Sequence, residues 1–220
     1  LLKLLVEQFQ QHLKKQPGEV VPQEIGNALW GLSELEYAAP SLFAFASKFA
    51  LSRLANFDPQ AVSNIALAFG RFGIKDEQLF SGLMQQLDKL FDECVPQSVA
   101  NTLWASAKLG FKQEQVLGAI AARLPPRLSA FNSQEVANTV WALATLQHLD
   151  EKALNALAVR FEQIVKKQPD DLKFQHVSNV LWGLSEFPFE APSLFTAASK
   201  FALPRLADFQ PQNISNIALA

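Results

Sequence analysis

The pattern Gln-x-(Val/Ile)-x-Asn occurs six times in this 220-residue chain, starting at Gln23, Gln60, Gln97, Gln134, Gln175 and Gln212. The spacings are 37, 37, 37, 41 and 37 residues. Three residues beyond the asparagine stands Trp30, Trp104, Trp141 or Trp182, and Leu67 or Leu219 in the other two copies. All four tryptophans therefore fall in one slot. A period of this length restricts the fold to a stack of supersecondary units, since one unit cannot bury its apolar face alone.

A longer period overlies the short one. Residues 1–68 match residues 153–220 at 39 of 68 positions without a gap, and the stretch LWGLSE occurs at both 29–34 and 181–186. A block of four repeats, 152 residues long, is duplicated. The four extra residues before Gln175 correspond to KKQP at 166–169, mirrored by KKQP at 14–17, and these insertions are expected to form longer loops.

Each repeat reads as two helices. The first begins at the motif, where Asp58-Pro59 and Asn132-Ser133 supply a capping side chain at the helix start. Gly73 and Gly110 close it. The second carries one-sided apolar spacing, as in Leu79, Leu83, Leu87 and Leu90, and no segment alternates with period two. The expected fold is all-α: an α-solenoid of two-helix repeats of about 37 residues, with 1–220 a single array and a piece of a longer chain.

At 100° per residue, Val99, Leu103, Ser106 and Gly110 make the buried stripe of a first helix, while Gln97, Asn101 and Lys108 share a ridge near about 160–200°. That third ridge slot holds Glu34, Arg71, Lys108, Thr145 and Glu186 in successive repeats. The residue after each glutamine also varies: Glu24, Ala61, Ser98, Glu135, His176 and Asn213. Fixed amides beside changing polar residues suit a modular reader of a polymer, and equally a structural amide ladder. The candidate binding set is Arg71 and Lys108 toward phosphates, Ser98, Glu135 and His176 toward base edges, and Asn101 and Asn138 on the ridge. The tryptophans read as packing wedges. Arg53, Arg127 and Arg205, each four residues before a phenylalanine, suit either helix ends or phosphates.

Little points to catalysis. His12, His148 and His176 fall at unrelated repeat positions without metal-ligand spacing, and Cys94 takes a slot where other repeats carry phenylalanine. No phosphate-cradling glycine loop or nucleophile motif occurs, so neither an enzyme nor a cofactor is expected. The formal charge of −2 argues against indiscriminate coating of nucleic acid but leaves room for a basic face. No apolar run reaches the roughly 20 residues of a bilayer span, and a lone cysteine excludes an internal disulfide.

The segments PQSVANTLWASAKLG (96–110) and SQEVANTVWALATLQ (133–147), with PRLSAF at 126–131 and PRLADF at 204–209, resemble the octotricopeptide and heptatricopeptide repeat families. The resemblance spans essentially the whole chain. It implies an RNA-binding helical-repeat protein of a mitochondrion or plastid, acting in RNA processing, stability or translation or as a ribosome-associated subunit. The copies at 60 and 212 depart from it, with SNIALA in place of ANTLWA, and the proline-rich PPPEW element is missing. A protein-binding scaffold or assembly subunit is the alternative reading.

Overall fold

The structure is a computed structural model that describes residues 1–15, 18–169 and 172–219. The described residues form twelve α-helices and no strand. In chain order they are α1 (Leu2–Lys15), α2 (Pro22–Glu34), α3 (Pro40–Arg53), α4 (Pro59–Phe72), α5 (Glu77–Lys89) and α6 (Pro96–Leu109). Then follow α7 (Glu114–Arg123), α8 (Ser133–Thr145), α9 (Glu151–Lys167), α10 (Phe174–Ser185), α11 (Pro192–Ala202) and α12 (Pro211–Leu219). The even-numbered helices carry the six motifs and pack each on the next, α2 on α4 through to α10 on α12. The odd-numbered helices form a second, more loosely packed layer, with α3 on α5, α5 on α7, α7 on α9 and α9 on α11. This is the α-solenoid that the repeats demand.

Local chemistry sets the helix starts. Asp58 accepts from the Ala61 amide at 2.7 Å, and Asn132 accepts from Glu135 N at 3.0 Å while Glu135 accepts in return from Asn132 N at 2.8 Å. Each bond satisfies an amide that the first helical turn leaves without a partner. Gly73 and Gly110 end α4 and α6 in the left-handed region at φ 66° and 81°. In the first and fourth repeats, which have no glycine at this turn, Glu36 and Gln147 take φ 51° and 50°.

Small residues decide how closely the motif helices approach. A Cβ built on Gly26 would lie 3.3 Å from Ala61 Cα, one on Gly70 2.9 Å from Ala105 Cβ, and one on Gly183 2.8 Å from Val140 Cγ1. Phenylalanines fill the space between the layers: Phe43 meets Phe69 edge-on at 5.0 Å, and Phe80 stacks on Phe111 at 5.0 Å. Val99, Leu103 and Ser106 are buried as expected, whereas Gly110 lies past the end of α6 and is exposed.

Two features differ from the sequence expectation. The second helix of four repeats runs into a short 3-10 turn: Leu54–Asn56, Phe91–Glu93, Pro125–Ala130 and Leu203–Asp208. The KKQP insertions do not simply lengthen loops. Lys14 and Lys15 end α1 and Lys166 and Lys167 end α9, making α9 17 residues long against 13 in α5 and 10 in α7. Two cationic side chains at a helix C-terminus meet the negative end of the helix dipole, which favours extra helix over coil. Gln16 and Pro17 lie outside the described residues.

Candidate nucleic-acid interface

Each inner motif helix, α4 to α10, is flanked on both sides by its neighbours in the row and covered beneath by the second layer, so one ridge remains open. The six motif glutamines are all exposed, and five of the asparagines are half-buried, with Asn27 exposed. The third slot (Glu34, Arg71, Lys108, Thr145, Glu186) is exposed throughout. Gln, Asn and this slot therefore make one continuous line, with a tryptophan beside it in four repeats and buried Leu67 in another, as the 100° projection predicts for the amides and the third slot.

The amides pair at one end and stand open in the middle. Gln23 Nε2 donates to Gln60 Oε1 at 3.5 Å, and Asn64 Nδ2 donates to Asn27 Oδ1 at 3.0 Å. The carboxamides of Asn101 and Asn138 make no hydrogen bond among the described residues. Trp104 and Trp141 pack against the core yet stay half-buried, as does Trp182, and Trp30 is 44% exposed. Trp104 and Trp141 lie 6.3 Å apart, tilted by 35°. A groove of about 830 Å³ crosses α2, α4 and α6 between Asn27, Trp30, Gln60, Asn64, Gln97 and Asn101. Open amides beside aromatic faces can hydrogen-bond base edges and stack base planes.

The two cations expected here differ. Arg71 donates to Glu34 Oε1 and, at 3.2 Å, to Ser33 Oγ, so it bridges to the preceding repeat. Lys108 is exposed and has no partner among the described residues. A phosphate would have to compete with Glu34 for Arg71 but meets Lys108 directly.

The slot after the glutamine is more buried than expected of a base reader at Ser98 and His176, and half-buried at Glu135. Ser98 is 3% exposed, and its hydroxyl lies 3.4 Å from Ser63 Oγ. His176 is 7% exposed, with Nδ1 3.0 Å from Ser133 Oγ, and burial, aided by nearby Lys173, pushes its pKa down to about 4. Glu135 is half-buried and closes the cap of α8; burial raises its pKa against the lowering effect of the Asn132 amide. Ser98, His176 and Asn213 thus meet serines of the preceding motif helix, while Glu24 and Glu135 bond the start of their own helix.

The arginines and the thiol are largely accounted for within the protein. Arg127 donates to the Phe91 and Cys94 carbonyls and stands 5.0 Å over the Phe91 ring. Arg123 donates to Asp88 O at 3.1 Å, and Arg160 to Phe131 O at 2.9 Å. Arg127 and Arg160 thus cap the 3-10 turns of preceding repeats, and Arg123 caps the end of α5. Arg53 and Arg205 lie over Phe49 and Phe201 at 4.4 and 4.6 Å. Cys94 is buried, which pushes its thiol up to about 11 and leaves little reactive thiolate. No helix of the described residues is long and apolar enough to cross a membrane.

A stacked two-helix array with an amide and tryptophan ridge defines a helical-repeat protein. Comparison with known families places it more narrowly: the model for the RNA-editing substrate-binding complex 6 protein matches residues 6–152. The chain belongs to that family. No curated protein matches it.

Proposed function

We propose that the chain is an RNA-binding helical-repeat protein of the octotricopeptide and heptatricopeptide type, acting in an organellar RNA-processing assembly of a mitochondrion or chloroplast. It forms one array over 1–220, with single-stranded RNA laid along the motif-helix ridge and about one base per repeat. It acts by binding, without a catalytic step. Asn101 and Asn138 meet base edges, Trp104 and Trp141 offer ring faces, and Lys108 holds a phosphate. Arg71 joins when it leaves Glu34. The observation that carries this reading is the pair of unpaired carboxamides between half-open tryptophans, because a purely structural amide ladder would close every rung as Asn27 and Asn64 do. The family name adds RNA and a multi-protein complex as partners.

A protein-binding scaffold is the second reading, favoured by Glu34 and Glu186 on the same ridge and by the formal charge of −2. Fluorescence anisotropy against a random single-stranded RNA pool at several salt concentrations separates the two. Asn101→Ala with Asn138→Ala should weaken binding roughly tenfold at an unchanged melting temperature, since neither carboxamide bonds within the protein. A parent chain without saturable RNA binding even at low salt hands the ridge to a protein partner.

A further inference from the structure

The second helical layer carries a feature that the ridge does not use. Between α9 and α11 lies a cleft of about 710 Å³, walled by Val165, Ala197 and Phe201 and rimmed by Lys166, Lys200 and Arg205. Arg205 stands over the Phe201 ring, and Ser193 Oγ donates to Glu162 Oε1 at 2.5 Å, tying α11 to α9. The same three cations recur 152 residues earlier as Lys14, Lys48 and Arg53, on α1 and α3. Arg53 stands over Phe49 as Arg205 does over Phe201. Gln10 Nε2 donates to Ser41 Oγ at 2.7 Å, at the positions of Glu162 and Ser193.

The intervening repeats lack this arrangement. Gln85 and Ala122 stand where Lys48 and Lys200 stand. Lys48 and Lys200 are exposed and make no hydrogen bond or ion pair among the described residues, so packing within the chain gives no reason for a lysine there. The neighbouring positions did diverge between the two blocks: Ala44 against Thr196, Phe45 against Ala197, Ser52 against Pro204.

The α9/α11 cleft and its α1/α3 counterpart differ in one charge. Glu162 pairs with Lys166, whereas Gln10 is neutral and leaves Lys14 without an acidic partner among the described residues. The α1/α3 surface therefore presents more uncompensated positive charge than the α9/α11 cleft.

We propose that the α9/α11 cleft and the equivalent α1/α3 surface are a matched pair of phosphate subsites that take the backbone of a single-stranded RNA, four repeats apart on the face away from the ridge. The inference rests on the RNA reading. Two copies of one anion site suit a ligand whose anionic group repeats along its length, rather than a singly modified peptide. Lys48 and Lys200 supply the uncommitted charge, Arg53 and Arg205 stand ring-backed beside them, and Glu162 weakens the α9/α11 cleft.

The test is anisotropy of a labelled uridylate 12-mer with the purified chain across a salt series. A single-strand phosphate contact contributes roughly 0.7 to the salt slope, so Lys48→Gln with Lys200→Gln should lower it by about 1.4 and weaken binding roughly 25-fold at 0.1 M salt. Lys48→Arg with Lys200→Arg should retain binding, and Glu162→Gln should tighten it, which a merely structural role for these residues does not predict. If the double glutamine variant binds with the parent's affinity and slope while Asn101→Ala with Asn138→Ala still loses RNA, the paired subsites are not RNA sites and the ridge reading stands. If the parent binds a phosphorylated peptide or vesicles of phosphate-headgroup lipid but no RNA, both readings fall.

Discussion

Gly31 and Gly183 sit at the same place in two identical LWGLSE stretches, yet the same substitution should move stability in opposite directions. Adding a methyl group to a helix-interior glycine gains about 0.8–1 kcal/mol of helix propensity. At Gly31 nothing lies within 4 Å of the added Cβ, so Gly31→Ala should realise that gain. At Gly183 the Cβ would fall 2.8 Å from Val140 Cγ1 and 3.3 Å from Val140 O. A valine in a helix has one strongly preferred rotamer, and the carbonyl belongs to the backbone of α8, so neither can swing aside. Relieving the contact means separating α8 from α10, at about 1–3 kcal/mol. The net result for Gly183→Ala is a loss of up to about 2 kcal/mol. For a chain of this size about 1 kcal/mol shifts the melting temperature by roughly 2–4 °C, so the two variants should separate on either side of the parent. Circular dichroism melts in one buffer measure this. Equal stabilisation by both variants would show that the motif helices do not approach as closely as described.

Two further outcomes follow from the packing. Arg127→Ala removes charged donors from two carbonyls of the preceding repeat and a ring contact, so urea unfolding should show a loss of roughly 2–4 kcal/mol, while exposed Lys108→Ala changes little. His176 is held to a pKa of about 4 while an unfolded histidine titrates near 6.5. Its contribution is therefore complete above pH 6.5 and is lost as pH falls toward 4, by at most about 3 kcal/mol. His176→Gln should flatten that limb of the stability profile, and an unchanged profile would refute burial as the cause.

The repeat made most of the fold legible. Gln-x-(Val/Ile)-x-Asn located six helices, and Asp58 and Asn132 cap two of them as expected. It also placed the amides and the third slot on one open ridge. Ser98 and His176 are more buried than the sequence suggested because helical periodicity identifies one apolar side, whereas a helix inside a row is enclosed on three. Their small or polar character gave no hint of the neighbour that covers them. Trp104 and Trp141 read as packing wedges, and both do pack against the core, with Trp104 Cζ3 3.2 Å from where Gly70 would carry a Cβ; what ring size could not show is that each indole keeps part of its face open on the ridge. Arg127 stayed open between two roles because its carbonyl partners lie 33 to 36 residues earlier, on a 3-10 turn that sequence pattern does not mark.

The lengthened α9 shows where this architecture absorbs change. Four extra residues enter between the fourth and fifth motifs, yet α10 still packs on α8. The added length goes into the outer layer, and the spacing of the inner row is set by glycine and alanine contacts that the insertion does not touch. The motif face therefore behaves as a ruler with a fixed graduation, while the opposite side is free to acquire bulk and charge. A strand read against such a ruler would count repeats, not residues, and lengthening the recognised segment would require another whole graduation.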